Sequence, residues 1–105
     1  MILTALYDVK GLNFVNGIVL ERNEDTATRD FVRACATTFG LRMNLADYNL
    51  VKLGVFDDTS KPSEACYADS DSFKVICSGI DIEADVLKYM KGIDDNVEND
   101  VRPQD

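Results

Sequence analysis

The sequence predicts one α+β domain: a small antiparallel sheet in the order β-β-α-β-β-α, with its helices on one face. Three observations carry this. Residues 2–9, 14–20 and 49–56 are short stretches rich in Leu, Ile, Val, Phe and Tyr with loose alternation, the period-two signature of strands. Residues 24–38 and 82–91 instead place apolar side chains at helical spacing, as a helix with one buried face does. Turn formers at Gly11 and Asn13, and the run Asp57-Asp58-Thr59-Ser60, separate these stretches,.

Each element has a local reason. Residues 2–9 and 14–20 form a hairpin, with Asn16-Gly17 as a bulge or as the turn itself. Asn23 is a helix N-cap, its side chain accepting a backbone N–H of the first turn, and Glu24 and Asp25 favour the positive end of the helix dipole. Ala27, Phe31, Ala34, Cys35 and Thr38 share one face of that helix, which Gly40 should end. Arg29 and Arg33 share another face, with Asp25 placed to pair with Arg29. Leu45 and Tyr48 dock on the core from the connection that follows. In residues 49–56, Val51, Leu53 and Val55 point one way and Leu50, Lys52, Gly54 and Phe56 the other, with Gly54 allowing close backbone approach. Pro62 restricts the next stretch to an edge or loop, and residues 73–78 form a fourth strand. Asp81 caps a second helix whose buried stripe is Ile82, Val86, Leu87 and Met90, and Gly92 ends it. Residues 1–92 are thus the domain and residues 93–105 a disordered acidic tail.

Charge and composition bound the function. The chain has 105 residues, no His and no Trp. Lacking His, it has no imidazole base, no Ser-His-Asp or Cys-His nucleophile pair and no His-ligated zinc site. The glycines are scattered, so no phosphate-cradling loop is present. Asp69-Ser70-Asp71 starts like a calcium loop, but Ile80 falls where the bidentate Glu belongs. The expectation is a non-enzyme with no cofactor and no metal. Cys35, Cys66 and Cys77 form no CxxC pair and read as small buried or half-buried apolar residues of a reducing cytoplasm. No apolar run reaches membrane-spanning length.

The net charge is −8, and all of it lies in residues 57–105, because residues 1–56 balance six acids with six bases. The neutral half holds Arg22, Arg29, Arg33, Arg42 and Lys52 among the rings of Tyr7, Phe14, Phe39 and Tyr48. Single-strand binders combine cations with stacking rings in this way, so Arg22, Arg29, Arg33, Arg42, Lys52, Tyr7 and Tyr48 are the candidate nucleic-acid-binding residues. The competing reading is a solvated helix face balanced by Asp25 and Asp30, with the rings in the core.

Three segments carry a family likeness. They are Leu6-Tyr7-Asp8 followed by a Gly and Phe14, the run Asn23-Glu24-Asp25-Thr26-Ala27-Thr28-Arg29-Asp30-Phe31, and the block Asp47-Tyr48-Asn49-Leu50-Val51-Lys52-Leu53-Gly54-Val55-Phe56-Asp57. In order and spacing they resemble the small non-structural protein of gokushoviruses, single-stranded DNA phages of the Microviridae, the phage open-reading-frame-five protein. The likeness spans residues 5–58. After Asp57-Asp58 the family's Pro-rich stretch is reduced here to Pro62, and residues 80–105 have no counterpart in it.

The resemblance implies a non-enzymatic accessory protein of the infected bacterial cytoplasm, absent from the mature virion. Such a protein assists single-stranded DNA genome replication or packaging, either by binding single-stranded DNA weakly or by joining the replication complex. Its expected partners are that DNA and viral replication or procapsid proteins; the exposed edges of the predicted four-strand sheet add further copies of itself, as a homodimer or higher homo-oligomer. The alternative is an acidic adaptor or inhibitor engaging a host or viral protein. A third reading is a scaffold-like homo-oligomer.

Overall fold

The structure is a computed structural model that describes the backbone of residues 1–101 and the side chains of residues 1–92. Strands β1 (Ile2–Asp8) and β2 (Asn13–Glu21) form a hairpin, and helix α1 (Glu24–Thr37) follows. A short helix α2 (Phe39–Arg42) and a 3-10 turn (Leu45–Asp47) lead to β3 (Tyr48–Phe56). The chain continues through β4 (Cys66–Tyr67), β5 (Lys74–Ser78) and α3 (Glu83–Val101). The sheet is antiparallel in the order β2-β1-β3-β4, and β5 pairs with β3 on the same side as β4. The expected α+β architecture is the observed one.

Local chemistry explains the start of α1. Asn23 holds an extended backbone, and its Oδ1 accepts from the Thr26 N–H at 2.8 Å. Ala27, Phe31 and Cys35, each four residues from the next, are buried, and this spacing keeps them on one face. They join Ala36, Leu41, Leu50, Ile82 and Val86 in a single core, with Leu6, Leu45 and Tyr48 packed at its edge. That core lies between the sheet and the α1–α3 layer.

Several expected boundaries differ. Gly40 does not close α1: Thr38 leaves the helix with an extended backbone, and Gly40 lies inside α2. Gly92 likewise lies within α3, which continues to Val101. A glycine inside a helix costs about 1 kcal/mol, too little to force a stop. For the expected acidic tail, side chains from residue 93 onward and all of residues 102–105 lie outside the described residues. Leu87 is exposed rather than part of the buried stripe of α3. Asp81 caps no helix, because its Oδ2 accepts from the Ser78 N–H at 3.0 Å and so closes the turn after β5.

The face assignment of β3 also changes halfway. Thr4 pairs with Lys52 but Leu3 pairs with Gly54, so Leu53 is an extra residue in β3. Such a bulge breaks strict alternation. Beyond it Gly54 does allow close approach, since a Cβ there would stand 2.9 Å from the Tyr67 carbonyl oxygen. After β3, Asp57 accepts from the Thr59 N–H, the Thr59 hydroxyl and the Ser60 hydroxyl, and these bonds hold its carboxyl down at about 2. The expected Asp57–Ser60 turn is this one.

Phe31 is the largest ring in the core, so Phe31→Ala should cost roughly 3–5 kcal/mol. Urea unfolding should show a lower midpoint with an unchanged slope. A loss below about 1 kcal/mol would mean that α1 does not anchor the core as described.

Candidate functional site

The seven candidate residues do not converge. Lys52 is in the helix-facing layer of β3, its side chain 8% exposed and its Nζ 2.8 Å from Asp69 Oδ2. That hydrogen bond raises the pKa of the Lys52 ammonium and lowers that of Asp69. Asp69 Oδ1 in turn accepts from the Asp71 N–H and the Ser72 hydroxyl. A cation engaged in this way ties the 69–72 loop to the sheet and has no free charge for a phosphate.

Arg42 is also engaged within the fold. Its Nη1 donates to the Ala36 carbonyl at 3.2 Å, satisfying an acceptor near the end of α1, and its guanidinium lies 5.5 Å from the Phe39 ring centroid. Tyr48 packs against the core from the helix side. Tyr7 points to the opposite side of the sheet and meets Phe14 edge-on, with ring centroids 5.1 Å apart. Arg22 is exposed ahead of α1, beside a depression it shares with Glu24 and Asp25.

Only Arg29 and Arg33 remain neighbours. They flank a shallow groove between α1 and α3 in which Tyr89 is the aromatic wall. Asp30 lies in the same groove, 2.9 Å from Arg33 Nη2, and Asp85 borders its Arg29 end. Arg29 has no ion-pair partner among the described residues, so the expected pairing with Asp25 is not formed. Tyr89 escaped the sequence reading because α3 meets α1 only in the fold.

The Asp30 carboxyl also bears on Glu21, the last residue of β2, which is 5% exposed. Burial, and then the hydrogen bond and charge of Asp30, push the Glu21 carboxyl above its ordinary value, while Arg33 pulls it back. Glu21 and Asp30 line a cleft of about 280 Å³ between the hairpin and α1, whose walls include Arg33 and the apolar Leu6, Val15, Val19 and Phe31.

The cysteines differ from one another. Cys35 is buried, and burial raises its thiol to about 11; burial also raises Cys77. Cys66 is exposed on β4, contrary to the expectation that all three are covered.

The most extensive feature is the face of the sheet that carries no helix among the described residues. Register aligns three rows across it. Leu20 stands beside Leu3 and Gly54; Ile18 beside Ala5, Val51 and Val75; Phe14 beside Tyr7, Asn49 and Ser78. None of these residues belongs to the helix-facing core. Ile18 is 65% exposed, Val75 54% and Phe14 51%, and no row holds a charge. The sequence did carry a signal for this surface. Ile18-Val19-Leu20 is apolar at consecutive positions, which in a strand gives both faces apolar side chains. Among the described residues no helix is long and apolar enough to cross a membrane.

Glu21 yields a signed prediction. A carboxyl whose folded pKa is raised contributes stability below its unfolded value and loses it as pH rises through the folded one. Glu21→Gln should therefore raise the melting temperature at pH 7, and the difference should shrink as pH falls towards 4.5, the ordinary Glu value. Thermal melts of both proteins across pH 4–7 check this, and a Gln variant that is less stable at pH 7 would contradict it.

The comparisons with known proteins give one positive result. No curated protein matches the chain, and no solved structure does. A family model described as phage ORF5 protein matches residues 1–82. The matched span includes all five strands with α1 and α2, and stops one residue before α3. This chain therefore belongs to the phage ORF5 protein family.

Proposed function

We propose that this phage protein is a non-enzymatic accessory factor that assists genome replication or packaging through protein contacts, acting in the infected cytoplasm and absent from the virion. One observation carries the reading. The residues that would hold DNA disperse, while an uncharged apolar sheet face stays open. A strand of DNA needs cations along its backbone. Here Lys52 is buried against Asp69, the half-buried Arg42 is turned to the Ala36 carbonyl, and the Arg29–Arg33 groove holds Asp30 with Asp85 at its border. Apolar patches left open on a folded domain mark contact surfaces for other proteins. The net charge of −8 acts in the same direction, since it repels polyanions,.

The second reading keeps single-stranded DNA as the partner, supported by Tyr89 standing beside two guanidinium groups. Fluorescence anisotropy with a labelled single strand of about 30 nucleotides, at two salt concentrations, separates the two. The adaptor reading expects no salt-sensitive binding at micromolar protein and no effect of replacing Arg29 and Arg33 by Ala. Micromolar binding that weakens with salt and disappears in that double variant would overturn it in favour of DNA. The positive arm is co-expression with the replication and procapsid proteins of the same phage. Capture of one of them by the wild type, lost in Ile18→Glu, is the expected result.

A further inference from the structure

We infer that two copies of this chain pack open sheet face to open sheet face about a two-fold axis. The inference rests on the reading of that face as the protein-contact surface and names its occupant. Shape is the first argument. A sheet covered by helices on one side and bare on the other completes itself by stacking on a second sheet, and aligned sheets pack at about 10 Å with side chains interdigitated. An uncharged apolar face can be its own complement, which a two-fold contact requires.

Area is the second argument. From the fractional exposures of its residues, the face offers on the order of 500 Å² per copy, so a dimer buries about 1,000 Å² in total, the lower limit for a specific interface. An interface at that lower limit belongs to the weak, reversible class.

The edges of the sheet supply the third argument, because they do not offer a better route to self-association. Along β2 the ladder jumps from Ala5–Ile18 to Leu6–Val15, leaving Asn16 and Gly17 unpaired with φ of 64° and 76°. A bulge of this kind bends the strand and spoils it as a template for another chain. The opposite edge is divided between β4, two residues long, and β5, five residues long. Neither edge is both continuous and regular, whereas all three rows of the face carry apolar side chains.

Electrostatics adds a distinguishing sign. Each copy carries −8, so two copies repel and added salt should strengthen their association by screening. Nucleic-acid binding through the same protein would weaken with salt.

The test is sedimentation equilibrium of the full chain from about 1 to 200 µM, a span in which a weak, reversible dimer forms and dissociates. The weight-average mass should rise from that of one chain towards that of two, more steeply at higher salt. Ile18→Glu and Phe14→Glu, exposed and outside the core, should keep their circular dichroism and stay monomeric. Leu87→Glu, equally exposed but on the helix side at 61%, should dimerise like the wild type. A wild type that stays monomeric throughout overturns the inference. So does a dimer that survives Ile18→Glu, or one that Leu87→Glu dissociates. If the wild type is monomeric but Ile18→Glu abolishes capture of a phage protein, the dimer fails and the adaptor reading stands. If neither association nor capture occurs, both fail.

Discussion

The seam between β1 and β3 sets the plane on which the rest of the molecule is arranged. It pairs Leu6 with Leu50 and Tyr7 with Asn49, and it is closed at the chain terminus where the Met1 amino group donates to the Phe56 carbonyl, 55 residues away in sequence. Because strand side chains alternate, the seam also sorts its residues. Leu50 is in the buried core with Phe31, Leu6 packs at its edge, and Tyr7 and Val51 turn away from it. The hairpin partner β2 extends this sorting on one side, and β5 and β4 extend it on the other. Two helices suffice to cover one face. The open face follows from that arithmetic of layers, and with it the chemistry available to the protein.

Much of the fold was legible because its determinants are local. The Asn23 cap and the spacing of Ala27, Phe31 and Cys35 define α1 without reference to anything distant, and the alternation of residues 2–9 and 49–56 defines the two central strands. What escaped was decided by partners. The extra residue Leu53 exists because Leu3 pairs with Gly54, and nothing in the run from Val51 to Phe56 announces it. Strand β4 is two residues with no pattern, formed only because Val55 and Phe56 leave an edge for Tyr67 and Cys66. Glycines were weak stop signals at positions 40 and 92, where continuing helix geometry outweighed a small local penalty.

The same division applies to the site. That Arg29 and Arg33 lie together is written in their four-residue separation. That Lys52 is neutralised by Asp69, 17 residues on, is not, because only the tertiary fold brings the 69–72 loop to β3. Basic residues interleaved with aromatic ones looked like a binding strip in the linear chain. In the fold, Tyr7 and Tyr48 occupy opposite faces of the sheet, and the strip comes apart. The family assignment holds independently of that strip, since it spans the whole strand framework.

The position of β1 also has a kinetic consequence. Its hairpin with β2 is local and can close on the microsecond scale, but its other side stays unpaired until β3 has been made. During synthesis at about 5–20 residues per second, the chain therefore passes several seconds with an apolar hairpin and an unfinished α1. Long-range pairing of this kind slows folding, because the entropy of closing the intervening loop is lost before the contacts form. The emergence of residues 48–56 is thus the moment at which the nascent chain commits to its fold. The 69–72 loop and α3 can only dock afterwards, on a sheet that already exists.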